Sequence, residues 1–394
     1  MRIGIDCRLW NETGVGRYTR NLIKNLRAID NKNDYVLFAN GSDVENIKGQ
    51  ISPLRPFDFA QGFEGQAKIK NNKEWKVVKA DVRWHSIDEQ IKFPSILNKE
   101  NLDLVHFPYF SVPVFYNKPF VVTIHDLIIH NFPTGKASTL PLPIYKVKLL
   151  GYRYIVSKIA KKAEKIIVPT NSVKEEVMKK LKVPKEKIEV TYEGIDGNIN
   201  SKFQPKADRP LDDKIQNYFL YVGNAYPHKN LQRLINAFID LKRNQEYKDI
   251  NLLLVGRDDY FYRKLERKLV KEDPIKILHN VNDNELSYFY KNAIALIIPS
   301  LMEGFGLTAL EAMSNRCLVL ASDIPALREV CQNTALYFNP LDTREIKEKM
   351  RNACDSLNHK SKYIKEGFER SKMFSWQKMT EETIKVYESC ASLR

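Results

Sequence analysis

Short apolar or β-branched runs alternate with amphipathic stretches along almost the whole chain. In the first half the runs predict strands over 2–7, 35–39, 103–107, 120–125, 165–169 and 188–192. Helices are predicted between them over 16–26, 86–98, 140–163 and 172–181. The second half repeats the scheme, with strands over 219–223, 251–256, 275–278, 293–298 and 317–321. Its helices are predicted over 230–242, 260–270, 283–291, 307–313 and 346–356. Wholly apolar strands separated by helices imply an α/β fold of parallel, doubly wound sheets. The polar stretch 199–215, with Pro205 and Pro210, reads as a linker. The predicted organisation is a first domain over 1–198, a second over 216–374, and a terminal helix over 375–394. Residues 41–79 lack either period and carry Gly41, Gly49, Gly62, Gly65, Pro53 and Pro56, so they read as a surface insertion.

At 394 residues and 43% hydrophobic content, the chain can bury two cores, which excludes a disordered protein or a disulfide miniprotein. No apolar run approaches the ~18–20 residues of a membrane-spanning helix. Asp6 and Arg8 interrupt the only apolar run near the start, so no signal-peptide core is expected and the expected location is the cytoplasm. Five scattered cysteines without a C-x-x-C pair suggest reduced, structural thiols. The excess of 63 basic over 48 acidic residues gives a net charge of +15. That excess fits an anionic partner (a phosphate ligand, nucleic acid or an acidic lipid surface) or a Lys-rich solvated surface.

Four motifs stand at predicted strand ends. Gly14, Gly16 and Arg17 follow the first strand and open a helix, where glycines allow close approach and N–H groups face a ligand. A plain tight turn explains the same residues. Thr19 occupies the third glycine position of a dinucleotide fingerprint, which is therefore unsupported. His125 and Asp126 end the 120–125 strand, where ligands of open parallel sheets collect. Asn224 follows the first strand of the second half, and Lys229 comes just before a helix, where it suits a phosphate. Last, Glu303 and Glu311 flank a Gly304-Phe305-Gly306-Leu307-Thr308 bend that opens another helix. Amides over 306–308 can donate to phosphate oxygens and the carboxylates can accept from sugar hydroxyls, a combination that suits a phosphorylated sugar. A capped helix with a surface glutamate is the plainer alternative.

Taken in this order, the motifs resemble those of family 4 glycosyltransferases. The Glu-x7-Glu pattern of Glu303 and Glu311 is the most specific of them, and residues 103–107 and 323–329 add further matches. The resemblance covers nearly the whole chain outside the insertion. It implies the GT-B architecture, two Rossmann-like domains facing a cleft. It also implies that Glu303 holds the donor sugar hydroxyls and Glu311 the nucleoside ribose. Lys229 and the amides of Phe305, Gly306, Leu307 and Thr308 would neutralise the diphosphate. By the same resemblance His125 stands at the reaction centre, Gly14, Gly16 and Arg17 close over donor or acceptor, and Val281 lies near the base. Many relatives carry an arginine where this chain has Asn224, which leaves the second phosphate cation open; Arg257 is the nearest candidate in the pattern.

The chain contains no Asp-x-Asp, so no metal is expected and charge on the leaving diphosphate falls to Lys229, helix amides and Arg17 or Arg257. The resemblance implies retention of anomeric configuration, and no cofactor beyond the nucleotide-sugar donor. Residues 224–230 resemble the mannosyltransferase-like branch, which makes GDP-mannose the expected donor, with a UDP-sugar as the alternative. The expected acceptor is a surface-polysaccharide or lipid-linked glycan. The basic stretch 145–165 could rest on the anionic inner face of the membrane, or form a solvated helix face over an apolar core side. A basic nucleic-acid-binding protein is the rival class, but no zinc spacing or RNA-binding aromatic signature supports it.

Overall fold

The computed structural model describes residues 1–51, 75–133, 141–195, 216–269, 274–355 and 357–392. The expected linker 199–215 and residues 52–74 of the expected insertion lie outside them. The first sheet is built from β1 (Arg2–Asp6), β2 (Asp34–Ala39), β3 (Trp75–Lys79), β4 (Leu104–Phe107), β5 (Phe120–Thr123), β6 (Lys165–Val168) and β7 (Ile188–Val190). The strands run parallel in the order β3-β2-β1-β4-β5-β6-β7. The second sheet holds β8 (Tyr218–Val222), β9 (Asn251–Val255), β10 (Ile275–Leu278), β11 (Ala295–Ile298), β12 (Val319–Ser322) and β13 (Leu336–Phe338). It too is parallel, in the order β10-β9-β8-β11-β12-β13. Strand order reverses at β1/β4 and at β8/β11, and such reversals open a crevice at the carboxyl ends of the strands.

Burial on both faces explains the largely apolar runs: β4, β5 and β11 are buried at every position. Helix Gly14–Ile29 turns Tyr18, Leu22 and Leu26 inward at helical spacing, which fixes its start beside the end of β1. The terminal helix Trp376–Ala391 returns to the first domain, where Trp376, Met379, Val386 and Tyr387 join Ile3, Ile5 and Leu22 in one cluster.

Two expectations need correction. Residues 41–79 are not wholly an insertion. Val44–Ile51 is a helix that buries Ile47, and β3 is the edge strand of the first sheet, paired to β2 along its length. The pattern is faint because β3 is only half-buried, as an edge strand is, so its alternation is weak. The basic helix, Leu142–Lys162, is not simply a solvated face over a core. Its last turns bury Val156, Ile159 and Ala160, but its first turns leave Ile144, Val147, Leu150 and Tyr154 exposed. Helices Pro325–Cys331 and Leu357–Ser371 and the three-residue β13 add to the sequence-based set.

Candidate active site

The second domain builds its half of the site from two loops locked together. After β8 the chain makes a single tight turn, Pro227–Lys229, and Asn230 follows in the left-handed region at φ 59°. Asparagine tolerates that conformation better than most residues. The buried Asn230 amide donates to the carbonyls of Pro299 (2.9 Å) and Pro340 (2.8 Å), and Leu301 N–H donates to the His228 carbonyl (2.8 Å). These bonds hold the turn against the loop after β11. Lys229 Nζ therefore lies 2.7 and 2.9 Å from the two Glu303 carboxylate oxygens, and Ser300 Oγ donates to Glu303 at 2.6 Å. Burial pushes the Glu303 carboxyl up, but Lys229 and Ser300 pull harder, so it sits below the usual carboxylate range. Burial, aided by the Lys229 charge, depresses neighbouring His228 to about 4, so its ring is neutral.

The first domain supplies the opposite wall from the end of β5. His125 Nδ1 lies 2.9 Å from Glu193 Oε1, and Nε2 lies 3.0 Å from the Pro108 carbonyl. Both ring nitrogens face acceptors, and only the imidazolium can donate to both. In agreement, the His125 pKa is raised: burial opposes the charged ring, but Glu193, Asp126 and Pro108 outweigh it. Tyr18 meets the ring edge-on at 4.9 Å. Behind it His106 is fully buried between Thr123 Oγ1 (2.8 Å) and Tyr387 Oη (2.6 Å), which ties the terminal helix to this strand end. Asp126 accepts from Ile128 N–H at 2.9 Å; burial raises its pKa, with Lys229 and Glu303 both close enough to act on it.

The two walls touch. A Cβ on Gly304 would stand 2.1 Å from the His125 carbonyl oxygen, so only glycine permits this approach. Thr170 Oγ1 donates to the Gly304 carbonyl at 2.9 Å. Glu329 reaches across to accept from the N–H groups of Asn171 (2.7 Å) and Ser172 (2.9 Å) at a helix start. Arg17 pairs with Glu311, whose other oxygen accepts from Tyr290 at 2.8 Å. The domains are thus held closed, with Lys229, Glu303, Asp126 and His125 converging on the cleft.

The remaining sequence-predicted residues divide. Gly306, at φ 102°, caps the helix Leu307–Ser314, whose first turn presents the N–H groups of Leu307 and Thr308. Phe305 turns its ring into the second core, beside Tyr192 and Phe374, so only its backbone can serve a ligand. Gly14 is exposed at its helix start, whereas Gly16, two residues further, is buried against the carbonyls of Leu9 and Trp10. Asn224 accepts from Tyr226 N–H at 3.3 Å within its own loop. Arg257 donates to the Asn11 carbonyl (3.1 Å) at the seam between domains. Val281 is half-buried against the second core. Sequence reasoning missed Glu193, Ser300 and Tyr290. Glu193 and Ser300 had a signal, since each lies just past a strand end, after β7 and β11; Tyr290, inside the helix Asp283–Asn292, had none.

Two Rossmann-like domains facing a cleft, with strand-end residues from both converging there, define the GT-B class of sugar transferases. Solved structures agree on the fold. Sucrose-phosphate synthase from Thermosynechococcus elongatus superposes with a TM-score of 0.72 at 19% identity, covering 100% of both chains. Anabaena HepE in complex with UDP-glucose superposes at 0.71 and 14% identity, over 99% of this chain and 100% of that one. Residues 13–198 match the family described as Glycosyltransferase Family 4, and residues 203–370 match Glycosyl transferases group 1. The O-antigen chain mannosyltransferase RfbU of Salmonella typhimurium is 30% identical over 71% of this chain and 74% of its own. The O-antigen chain mannosyltransferase B of Escherichia coli is 25% identical over 95% and 96%. The chain belongs to the group 1, family 4 glycosyltransferases.

Proposed function

We propose that this glycosyltransferase moves mannose from GDP-mannose to a surface-polysaccharide or lipid-linked glycan, with retention and without a metal ion. The observation that carries the reading is the Lys229–Glu303 pair at the cleft, facing His125 and Asp126. Mannose and a glycan acceptor follow the names of the two O-antigen relatives. GDP rests on residues 224–230 alone, and metal independence on the lack of Asp-x-Asp.

Cleaving a sugar–diphosphate bond loads negative charge on the departing oxygen. Lys229 and the N–H groups of Leu307 and Thr308 answer it, and a preorganised donor of this kind is worth roughly 10²–10³ in rate. Glu303, kept ionised by Lys229, accepts hydrogen bonds from sugar hydroxyls. The acceptor hydroxyl attacks from the face the diphosphate leaves, and the departing phosphate oxygen takes its proton. Glu311 receives the ribose; a carboxylate has about four lone-pair sites, so Arg17 and Tyr290 leave room for hydroxyls. His125 contributes positive charge, since both its nitrogens are engaged by the protein.

The acceptor domain also carries a membrane-facing device in this reading. Ile144, Val147, Leu150 and Tyr154 are exposed by 50, 70, 66 and 64%. At about 100° per residue they share one face of their helix. Exposed Lys146 and Lys148 flank that face, and exposed Lys158 stands on it one turn beyond Tyr154, its ammonium over the Tyr154 ring. An anionic bilayer matches both the apolar stripe and the charge. Among the described residues no helix is long and apolar enough to cross a membrane.

Nucleotide competition tests the donor. GDP is expected to inhibit transfer, and to protect against thermal unfolding, well below the UDP concentration with the same effect. Tighter binding of UDP or ADP would make the base assignment wrong.

A further inference from the structure

Two neighbouring histidines, in β4 and just past β5, are held in opposite ways. His106 Nδ1 lies 2.6 Å from Tyr387 Oη, and its Nε2 lies 2.8 Å from Thr123 Oγ1. A hydroxyl both donates and accepts, so a neutral ring satisfies both partners. His125 lacks that freedom. Its Nδ1 meets Glu193 Oε1 at 2.9 Å and its Nε2 meets the Pro108 carbonyl oxygen at 3.0 Å. An ionised carboxylate and a carbonyl only accept. A neutral ring protonated at Nε2 would turn a bare nitrogen to the carboxylate, and one protonated at Nδ1 would turn it to the carbonyl. The His125 and Glu193 side chains are only 14% and 8% exposed, so little water is at hand to replace a missing bond.

The other groups around His125 leave its charge to Glu193. Tyr18, from the helix Gly14–Ile29, meets the rings of both histidines edge-on and is kept un-ionised by burial. His106 is neutral, its pKa lowered to about 3 by burial and then by the His125 charge. Asp126 follows His125 on the chain, and burial raises its carboxyl pKa. The loop after β11 brings Gly304 against the His125 carbonyl, and there Glu303 is already paired with Lys229. Burial opposes a proton on His125, yet the Glu193 hydrogen bond and charge, then Asp126 and the Pro108 carbonyl, outweigh it.

We propose that Glu193 is a positioning residue for transfer: its carboxylate fixes the His125 ring and keeps it an imidazolium, and this charged form is the one the reaction uses. The inference rests on the glycosyltransferase reading. It adds that Glu193 acts through His125 and that the alkaline limb of the pH–rate profile belongs to this pair. A fixed cation at the cleft stabilises the charge that gathers on the departing diphosphate, and deprotonation removes it.

Glu193→Gln separates charge from shape. The new amide N–H can donate to a bare Nδ1 while Nε2–H donates to Pro108, so a neutral ring keeps both hydrogen bonds. Ring-nitrogen NMR of the full chain, with His125→Asn assigning the signal, reads the charge directly. At pH ~7.5 the parent and Glu193→Asp should carry protons on both His125 nitrogens, and Glu193→Gln on one only. Transfer from GDP-mannose to membranes of cells that assemble a surface polysaccharide reads the consequence. Glu193→Gln should move the alkaline limb of kcat down by about one pH unit or more, which is roughly tenfold in kcat at pH ~8. At pH ~5.5, where an imidazole is protonated without help, it should come within about twofold of the parent. Glu193→Asp should restore most of the limb. A loss in Glu193→Gln by the same factor at every pH, the mark of a merely structural role, would overturn the proposal, as would a neutral His125 ring in the parent at pH ~7.5. A parent that consumes no nucleotide sugar at any pH would sink the wider reading and the catalytic role together; the ring titration, which needs no donor, tells that case apart.

Discussion

Gly304→Ala tests whether the closed cleft is what the chemistry needs. The added Cβ would lie 2.1 Å from the His125 carbonyl oxygen, where ordinary contact begins near 3.4 Å. The loop must therefore retreat by about 1.3 Å, and the Cβ of Asp126 at 3.3 Å leaves little slack sideways. The clash joins two domains, so the least costly relief is separation across the seam rather than distortion of either core. Glu303 is the adjacent residue and carries Lys229 with it, away from His125 and Asp126. A misplacement of about 1 Å can cost ~10²-fold in rate, or ~2.7 kcal/mol of barrier. Alanine meanwhile restricts the unfolded chain, worth about 0.4–1 kcal/mol in favour of folding. The expected variant keeps its melting temperature within a few degrees and loses about 100-fold in kcat. Steady-state transfer kinetics and calorimetry read both quantities. Parent-like turnover, or a melting temperature lowered far enough to show a broken core, would refute the reasoning.

Lys229→Ala leaves the buried Glu303 carboxylate without its cation, so kcat should fall by roughly 10²–10³ and the Glu303 pKa should rise; a pH–rate profile showing neither would exclude the assigned role. His106 carries a pKa lowered to about 3, chiefly by burial and then by the His125 charge. Its contribution is therefore present above pH ~6.5 and lost as pH falls toward 3, by up to roughly 4 kcal/mol. His125, with its raised pKa, acts in the opposite sense: its stabilisation is full below pH ~6.5 and fades as pH rises through the folded value. The difference in urea stability between parent and His106→Asn should therefore shrink on acidification from pH 7 to pH 5, by about 2 kcal/mol, and a constant difference would count against the burial argument. Val147→Asp with Leu150→Asp should abolish flotation on vesicles containing phosphatidylglycerol without changing the far-UV spectrum, whereas undiminished flotation would remove the helix from the membrane contact.

The strands most legible in the sequence are those buried on both faces. Residues 295–298 and 252–255 stand out because nothing polar interrupts them. β3 hides for the opposite reason: an edge strand shares its burial with solvent, and Lys76 and Lys79 sit among its apolar residues. The site divides along similar lines. Lys229 and Glu303 occupy loops that lead into helices, and Glu311 lies in the second turn of the helix Leu307–Ser314, so their spacing is local and readable. Glu193 reaches His125 across 68 positions, and Tyr290 reaches Glu311 across 21, so their pairing exists only once the strands are ordered. The return of the terminal helix to the first domain is equally long-range. Its amphipathic pattern shows that one face is buried, but not that Tyr387 meets His106.

The most direct test of the central claim is transfer of radiolabelled mannose from GDP-mannose by the purified chain, in the presence of excess chelator, to membranes from cells that assemble a surface polysaccharide. The account predicts label in the glycan, α-configured as in the donor, and its loss in Glu303→Gln with the fold intact. Label that appears only when magnesium or manganese is restored, that carries the inverted configuration, or that persists in Glu303→Gln would contradict it.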